Sequence, residues 1–403
     1  MQNYKYLIVG GGLTGDAAVR GIRELDPTGS IGMFSMEQDP PYDRPDLSKS
    51  LWKGKSIEKI WRNTEALKVD LHLGRKVTQL DLAVRQVLDD GGETSGFEKL
   101  LLATGGSPNH LTCGGGDIIY FRDLADYRRL RALSDSGQSF VVIGGGFIGS
   151  EIAAALTTVG RKVSMILQED GIGAKLFPPA LSQHLNDYYR QKGVEVLTGD
   201  AVDNVVRRGT RFEVQTRNGR ILEVDGVVAG IGIRPSLELA TQAGMEIGDG
   251  IIVDKYLLTS AANVFAAGDV ANYFQPALGK RVRVEHEDNA LFMGKQAGRN
   301  MAGASEPYER LSNFYSDLFE LGYEAVGEIS SKLETVIDWE DPLKKGIIYY
   351  LEAGRVRGVL MWNVWKQVDN ARALIAEPGP FSAEDLLVGG GSVKQPAKPV
   401  LER

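Results

Sequence analysis

Val141-Val142-Ile143-Gly144-Gly145-Gly146-Phe147-Ile148-Gly149-Ser150-Glu151 reads as a short apolar strand, a glycine turn and the first turn of a helix. Such a turn lets a backbone approach a pyrophosphate closely, and the helix N-terminus adds free N–H groups and a partial positive charge. Glycine turns are common, so G-x-G-x-x-G alone is a weak signal. Here it is repeated, because Tyr6-Leu7-Ile8-Val9-Gly10-Gly11-Gly12-Leu13-Thr14-Gly15 has the same strand–turn–helix pattern. Two dinucleotide turns in one chain call for two dinucleotides. The economical reading is a flavin and a nicotinamide exchanging a hydride.

Length and composition frame that reading. A chain of 403 residues exceeds one ordinary core and predicts two or three domains, and 49 glycines suit an α/β protein with many tight turns. No apolar run approaches the ~20 residues of a membrane span. The sequence enters a strand at once, with no basic-then-apolar leader, so a cytoplasmic protein is expected. A net charge of −7 argues against a dedicated nucleic-acid binder. Cys113 is the single cysteine; no C-x-x-C pair exists to carry electrons as a redox disulfide, and Cys113 itself reads as an incidental loop thiol. His72, His110, His184 and His286 are scattered, and no metal-ligand spacing is present.

Taken in order, residues 5–10 form the first strand and Ile31–Phe34 the second. An acid about 20 residues past such a turn normally holds a ribose 2′-hydroxyl, and Glu37 stands there; an ordinary loop carboxylate is the alternative. Pro40–Lys49 is a proline-stiffened loop that places Arg44 and Lys49 at low entropic cost. Against a flavin, its lysine would stabilise charge developing on the reduced ring; without that context the segment is equally a basic surface loop. Short strands fill 69–90, and Lys99–Ala103 is a buried strand ending in a Gly/Pro break at Thr104–Pro108. The glycine-rich 109–116 stretch is read as the first domain crossing, and Asp123–Leu133 as a basic helix with Arg128, Arg129 and Arg131. In the second unit, Glu169 stands 20 residues past Gly149, where an acid accepts from the adenosine 2′-hydroxyl and repels a 2′-phosphate, favouring NADH over NADPH. Val264–Val270 is a buried strand whose end exposes Gly268 and Asp269. From about Leu311 the chain changes to aromatic-rich alternating strands, and from Gly389 the Gly/Ser/Pro/Lys composition predicts a disordered tail.

The motifs GGGLTG (10–15), PYDRPDLSK (41–49), LLATGG (101–106), GGGFIGSE (144–151), GIGIRP (230–235) and AAGDV (266–270) together resemble the two-dinucleotide flavoprotein reductases. That group is similar to glutathione reductase in fold but lacks its disulfide in the ferredoxin and rubredoxin reductase branch. VEHED (284–288), FYSDL (314–318) and GYEAVG (322–327) look most like apoptosis-inducing factor and its bacterial relatives. The resemblance covers residues 5–380. It implies an α/β fold class, with two Rossmann-like dinucleotide-binding domains plus a C-terminal α+β domain with an antiparallel sheet. FAD would be held by 1–112 and 233–310, NADH by 113–232, the C-terminal domain would span 311–388, and 389–403 would be the tail.

Residue by residue, the resemblance implies that Gly10, Gly12, Leu13, Thr14 and Gly15 hold the FAD pyrophosphate. Glu37, Arg44, Lys49, Val77, Ala103, Thr104, Gly105, Arg128, Gly268, Asp269 and His286 would surround the cofactor. Gly144, Gly145, Gly146, Phe147, Ile148 and Gly149 would form the NADH turn. Glu169, Lys175, Gly232, Glu285 and Glu324 are the implied NADH contacts. Lys49 and Glu151 would pair beside the flavin, and Phe147 would cover the ring until the nicotinamide arrives. Tyr315 replaces an aromatic, often tryptophan, near the flavin edge. The family's ribose-binding acid aligns with Met36 and not Glu37, and there is no long C-terminal insertion of the apoptosis-inducing-factor type.

The expected function is an enzyme in which NADH reduces FAD and electrons pass singly to a small iron–sulfur carrier such as a ferredoxin. Arg128, Arg129, Arg131, Lys280, Arg281 and Arg283 are candidates for receiving an acidic partner, with a solvated face as the alternative. No membrane span or nucleic-acid partner is expected, and the chain would be a monomer or a homodimer. Two other readings share every motif: a redox-sensing flavoprotein with a long-lived NADH charge-transfer complex, and an NADH reductase of a small acceptor such as a quinone or the ascorbyl radical.

Overall fold

The computed structural model describes residues 2–115 and 117–395. The chain divides into two compact units. The first comprises Met1–Leu47, Gly54–Ser107 and Ile233–Ser312, and the second Ser48–Lys53, Pro108–Gly232 and Asn313–Arg403. Among the described residues, no helix is long and apolar enough to cross a membrane.

In the first unit the strand Gln2–Val9 lies between Ile31–Phe34 and Thr94–Leu102, parallel to both, with Val9 opposite Phe34 on one side and Leu102 on the other. Asp70–His72 extends this sheet beyond Ile31–Phe34, and Val264–Ala266 pairs in parallel with Thr94–Leu102. Strands buried on both faces read as apolar runs, as Leu7-Ile8-Val9 and Leu100-Leu101-Leu102 do. Gln86–Asp89 and Val77–Asp81 follow as an antiparallel meander. The chain leaves Gln2–Val9 through the helix Leu13–Leu25 to one neighbour and returns later on the other side. The strand order therefore reverses at the carboxyl end of Gln2–Val9, where Gly10–Gly15 lies. That crevice is where open α/β sheets bind ligands.

The second unit repeats the arrangement. Ser139–Ile143 lies between Lys162–Ile166 and Gly226–Ala229, parallel to both, with Val194–Leu197 and Ile119–Tyr120 at the edges. Its carboxyl end leads into Gly144–Gly149 and the helix Phe147–Thr158. Beside a three-stranded antiparallel sheet of Val202–Arg208, Arg211–Thr216 and Ile221–Val224, the unit holds a five-stranded antiparallel sheet in the order Asn313–Leu318, Leu321–Gly327, Arg355–Trp362, Lys345–Glu352, Glu334–Asp341. The late aromatics Tyr349, Tyr350 and Trp362 are fully buried in it.

Two features depart from the sequence reading. Ser48–Lys53 leaves the first unit and belongs to the second, so the loop 40–49 is split between them. The tail expectation also fails for its described part. Val393 is buried, the Val388 and Gly389 N–H groups both donate to Asp338 Oδ2, and the Lys394 N–H donates to the Tyr349 hydroxyl. Composition reports chain entropy, but it cannot see a buried carboxylate that satisfies two backbone donors. Residues 396–403 of that expectation lie outside the described residues.

Candidate functional site

The first unit builds its turn from backbone crowding. Gly10 has φ of +128°, and a Cβ there would stand 2.0 Å from the Ala103 carbonyl oxygen. A Cβ on Gly15 would stand 2.1 Å from the Gly10 carbonyl oxygen. Both positions exclude any side chain. Gly12, by contrast, faces open space: the nearest atom to a Cβ there is Arg44 Nη2 at 3.9 Å. Gly12 caps the helix Leu13–Leu25 and no side chain caps it in turn. The helix N-terminus therefore opens toward a guanidinium, a combination suited to an anion.

Arg44 is held for that position. Its Nη2 donates to Glu37 Oε1 at 2.6 Å, while the Tyr42 hydroxyl donates to Glu37 Oε2 and the guanidinium lies 5.2 Å from the Tyr42 ring centroid. Glu37 thus orients Arg44, and each of its oxygens retains a lone pair for a ribose hydroxyl. Met36 is 64% exposed. Burial opposes the charge on Arg44, but Tyr42, Glu37 and Asp269 outweigh it and hold the guanidinium protonated. Asp269 follows Gly268, whose φ is +77° and where a Cβ would stand 2.3 Å from Thr14 Oγ1. Thr104 Oγ1 donates to the Ser236 carbonyl, the Gly105 carbonyl accepts from the Ser236 N–H, and Val77 is buried.

His286 precedes the helix Glu287–Met301. Burial pushes its imidazole down to about 4, against the pull of Asp269 and Asp288, so it is neutral at pH 7. Between its ordinary value near 6.5 and about 4 the unfolded chain binds a proton that the folded chain refuses. Stability is therefore full above pH 6.5 and falls through that window, by about 3 kcal/mol. Thermal melts of the chain and of His286→Gln from about pH 7 down to about pH 4.5 check this: the variant is expected to lack that part of the acid loss, and parallel curves would contradict it.

The second unit repeats the turn. Gly144 has φ of +102° and a Cβ would stand 2.5 Å from the Gly230 carbonyl oxygen; a Cβ on Gly149 would stand 2.0 Å from the Gly144 carbonyl oxygen. Gly145 backs onto Leu167, whereas a Cβ on Gly146 would meet nothing within 4 Å. Glu169 pairs with Lys175 at 2.6 Å, the lysine being 82% exposed. Burial is the largest single influence on the Glu169 carboxylate and works against its charge, but the Lys175 hydrogen bond and charge, together with a backbone hydrogen bond, outweigh it and lower the pKa. Gly232, with φ of +86°, accepts from the Asn109 N–H.

Within the same unit a buried cluster forms around Glu151, on the first turns of the helix Phe147–Thr158. Lys49 Nζ donates to Glu151 Oε1 at 2.7 Å, Ser316 Oγ donates to the same oxygen at 2.6 Å, and Ser48 Oγ donates to Oε2 at 2.6 Å. Lys49 Nζ also lies 5.1 Å from the Tyr315 ring centroid, and Phe147 meets Phe314 edge-on at 5.4 Å. Tyr315 is 39% exposed and stands opposite Glu324 across the strand pair. Glu324 Oε2 accepts from the Lys366 N–H.

The structure thus gathers Gly10–Gly15, Glu37, Arg44, Asp269 and His286 in one unit, and Gly144–Gly149, Glu169, Lys175, Lys49, Glu151, Phe147, Tyr315 and Glu324 in the other. Glu285 belongs to the first unit and pairs with Arg283, while the other implied NADH contacts belong to the second. Arg128 is exposed on the helix Leu124–Ser136 of the second unit. Among the described residues, no group of three or more His, Cys, Asp or Glu could hold a metal ion. Sequence reading missed Ser48 and Ser316. Ser316 did leave a signal: in Asn313–Leu318 it occupies the inward face between Phe314 and Leu318, and a hydroxyl at a core position demands a partner.

Comparison with known proteins fits this geometry. The profile of the pyridine nucleotide-disulphide oxidoreductase family matches residues 4–294. The C-terminal profile of mitochondrion-associated apoptosis-inducing factor matches 297–342 and 337–377. The mitochondrial apoptosis-inducing factor 1 of Dictyostelium discoideum is 34% identical, over 93% of this chain and 79% of its own. The ferredoxin reductase subunit of 5,5′-dehydrodivanillate O-demethylase from a Sphingobium species is 32% identical, over 94% of each. The covalent putidaredoxin reductase–putidaredoxin complex contains a chain that superposes with a TM-score of 0.83 at 28% identity, over 90% of both chains.

Proposed function

Because the chain belongs to the pyridine nucleotide-disulphide oxidoreductase family, we propose that it is an FAD-containing NADH reductase that passes single electrons to a small iron–sulfur carrier of the ferredoxin type. The observation that carries this reading is the cysteine count: in a family named for disulphides, this chain has Cys113 alone. No dithiol can take electrons onward, so they leave the flavin directly. The ferredoxin reductase subunit that matches over 94% of this chain supports the same acceptor class.

The residues present fit the two dinucleotides. The crowded Gly10–Gly15 turn leaves an opening at Gly12 beside Arg44 that suits the FAD pyrophosphate, and Gly146 offers the same opening for NADH. FAD supplies the ability to accept one hydride and to give up its two electrons one at a time. Arg44 neutralises phosphate charge, and Glu37 orients Arg44. Lys49, whose ammonium Glu151 fixes, is the residue to which the family resemblance assigns the stabilising of negative charge on a reduced ring, and Phe147 the one to which it assigns the exclusion of water until the nicotinamide enters. NADH is an intracellular reductant, which supports a cytoplasmic site of action.

Glu169 selects NADH, since its carboxylate repels a 2′-phosphate. Glu169→Ala removes that repulsion and frees Lys175 to meet the phosphate. The ratio of kcat/KM for NADH over NADPH is expected to fall about tenfold, or about 1.4 kcal/mol. Steady-state kinetics with both nucleotides check it, and an unchanged ratio would remove Glu169 from the selection.

An acceptor panel tests the function itself. NADH oxidation coupled to a ferredoxin should exceed that with a quinone or the ascorbyl radical; the reverse order would assign a small acceptor instead. The match to the apoptosis-inducing factor C-terminal profile favours one second reading, a redox sensor. There, NADH would reduce the flavin slowly and change the particle's shape or mass. Light scattering before and after NADH separates the two, because the sensor alone requires a change.

A further inference from the structure

Asp16 lies in the first turn of the helix Leu13–Leu25, directly after the phosphate turn, and its side chain is fully buried. Four hydrogen bonds reach it. Arg20 donates through Nε at 2.9 Å and Nη2 at 3.1 Å, Arg62 through Nε at 2.6 Å, and Thr64 through Oγ1 at 2.7 Å. Burial alone would favour the protonated acid, but these donors outweigh it and lower the Asp16 pKa. An acid at a helix N-terminus also suits the helix dipole.

Arg62 reaches further. Its Nη1 donates to Asp43 Oδ1 at 2.6 Å, and its backbone N–H donates to the Pro41 carbonyl at 3.0 Å. The Asp43 N–H in turn donates to the Ile60 carbonyl at 2.8 Å, and Arg20 Nη2 donates to the Arg62 carbonyl at 2.7 Å. Segment 41–43, which leads directly into Arg44, is therefore held to residues 60–62 by backbone and side chain. Glu37 and Tyr42 hold the guanidinium itself. All of these groups belong to the first unit.

We propose that Arg62, bridging Asp16 and Asp43, is a positioning residue that presents Arg44 to the FAD pyrophosphate at Gly12. The inference rests on the reading that the first unit holds FAD. A long, flexible arginine loses rotamer freedom when it binds a phosphate, and a scaffold that has already ordered it reduces that cost. A fork that spans two carboxylates is a task for arginine in particular. The buried Asp16 ties the fork to the same helix whose N-terminus forms the phosphate turn, so the turn and Arg44 share one reference frame.

Arg62→Gln strands the buried Asp16 and can disturb folding, so the decisive variant is Asp43→Asn, which takes only the charge from the outer ion pair at a partly exposed side chain. The measurement is the rate of FAD release from the full-length holoprotein, followed by recovery of free-flavin fluorescence, for Asp43→Asn, Arg44→Gln and the double variant. Asp43→Asn is expected to release FAD about tenfold faster, and the double variant no faster than Arg44→Gln alone, because Asp43 acts through Arg44. Multiplied effects in the double variant, or an unchanged release rate in Asp43→Asn, would overturn the proposal. A wild-type chain that takes up no FAD would overturn the reading beneath it, and the two failures are distinguishable.

Discussion

Alanine at position 49 is expected to leave the chain yellow and to slow its bleaching by NADH by about tenfold or more, about 1.4 kcal/mol of barrier. Lys49 belongs to the second unit, outside the Gly10–Gly15 turn proposed for the FAD pyrophosphate, so retention of FAD should not depend on it. Its ammonium is 2.7 Å from Glu151 Oε1 and its side chain is 13% exposed, which places a nearly desolvated positive charge at a fixed point. In such surroundings a charge acts more strongly than in water and needs no reorganisation during the reaction. Removing it also leaves the Glu151 carboxylate buried without its counter-ion, and breaking a buried pair commonly costs about 3–5 kcal/mol of stability. Ser48 and Ser316 still donate to that carboxylate, so the loss should fall at or below that range. The double variant Lys49→Ala/Glu151→Gln separates the effects: it should recover stability while keeping the slow reduction. Anaerobic stopped-flow absorbance reads the rate, and a rate within twofold of wild type would remove Lys49 from the chemistry.

Gly149→Ala should have the larger effect, abolishing reduction by NADH by about a hundredfold or more, about 2.7 kcal/mol, while dithionite still bleaches the flavin. The added Cβ would stand 2.0 Å from the Gly144 carbonyl oxygen and 2.8 Å from its carbonyl carbon. Both are backbone atoms, so no rotamer change relieves the clash, and the NADH turn itself must open. The FAD turn has its own closure at Gly15 against Gly10 and should be unaffected. Gly146→Ala makes the contrast. At φ of −80° alanine is allowed and its Cβ meets no protein atom, so the melting temperature should hold while the KM for NADH rises. Equal melting losses in both variants would contradict this assignment of turn and opening.

The two turns were legible in the sequence because close backbone approach leaves glycine as the one residue that fits, and such a constraint is written locally. Glu169 was legible for a similar reason, standing 20 residues past Gly149 at the end of the strand that follows the turn, whereas Lys175 was reached through family resemblance. The Lys49–Glu151 pair joins residues 102 apart; no spacing rule predicts it, and it was reached through family resemblance. Ser48 and Ser316 were missed because single serines carry no motif, although Ser316 on an inward face was a visible anomaly. Asp16 was hidden differently: in a helix beginning Leu13-Thr14-Gly15-Asp16 an acid reads as a favourable first-turn charge, and nothing local announces Arg62 and Thr64 as its partners. The 389–395 segment was misread because glycine-rich composition outweighed the buried Asp338 that satisfies its N–H groups.

The central claim is that NADH reduces a single flavin that delivers electrons outward without a dithiol. Anaerobic titration of the yellow chain with NADH, with the rate followed in the same apparatus, tests it most directly. Complete bleaching by a single equivalent of NADH per flavin, at or above the ~1–10³ s⁻¹ typical of enzyme turnover, is the predicted result. Reduction over many seconds into a persistent long-wavelength band, a requirement for a second equivalent, or a preference for NADPH would contradict it.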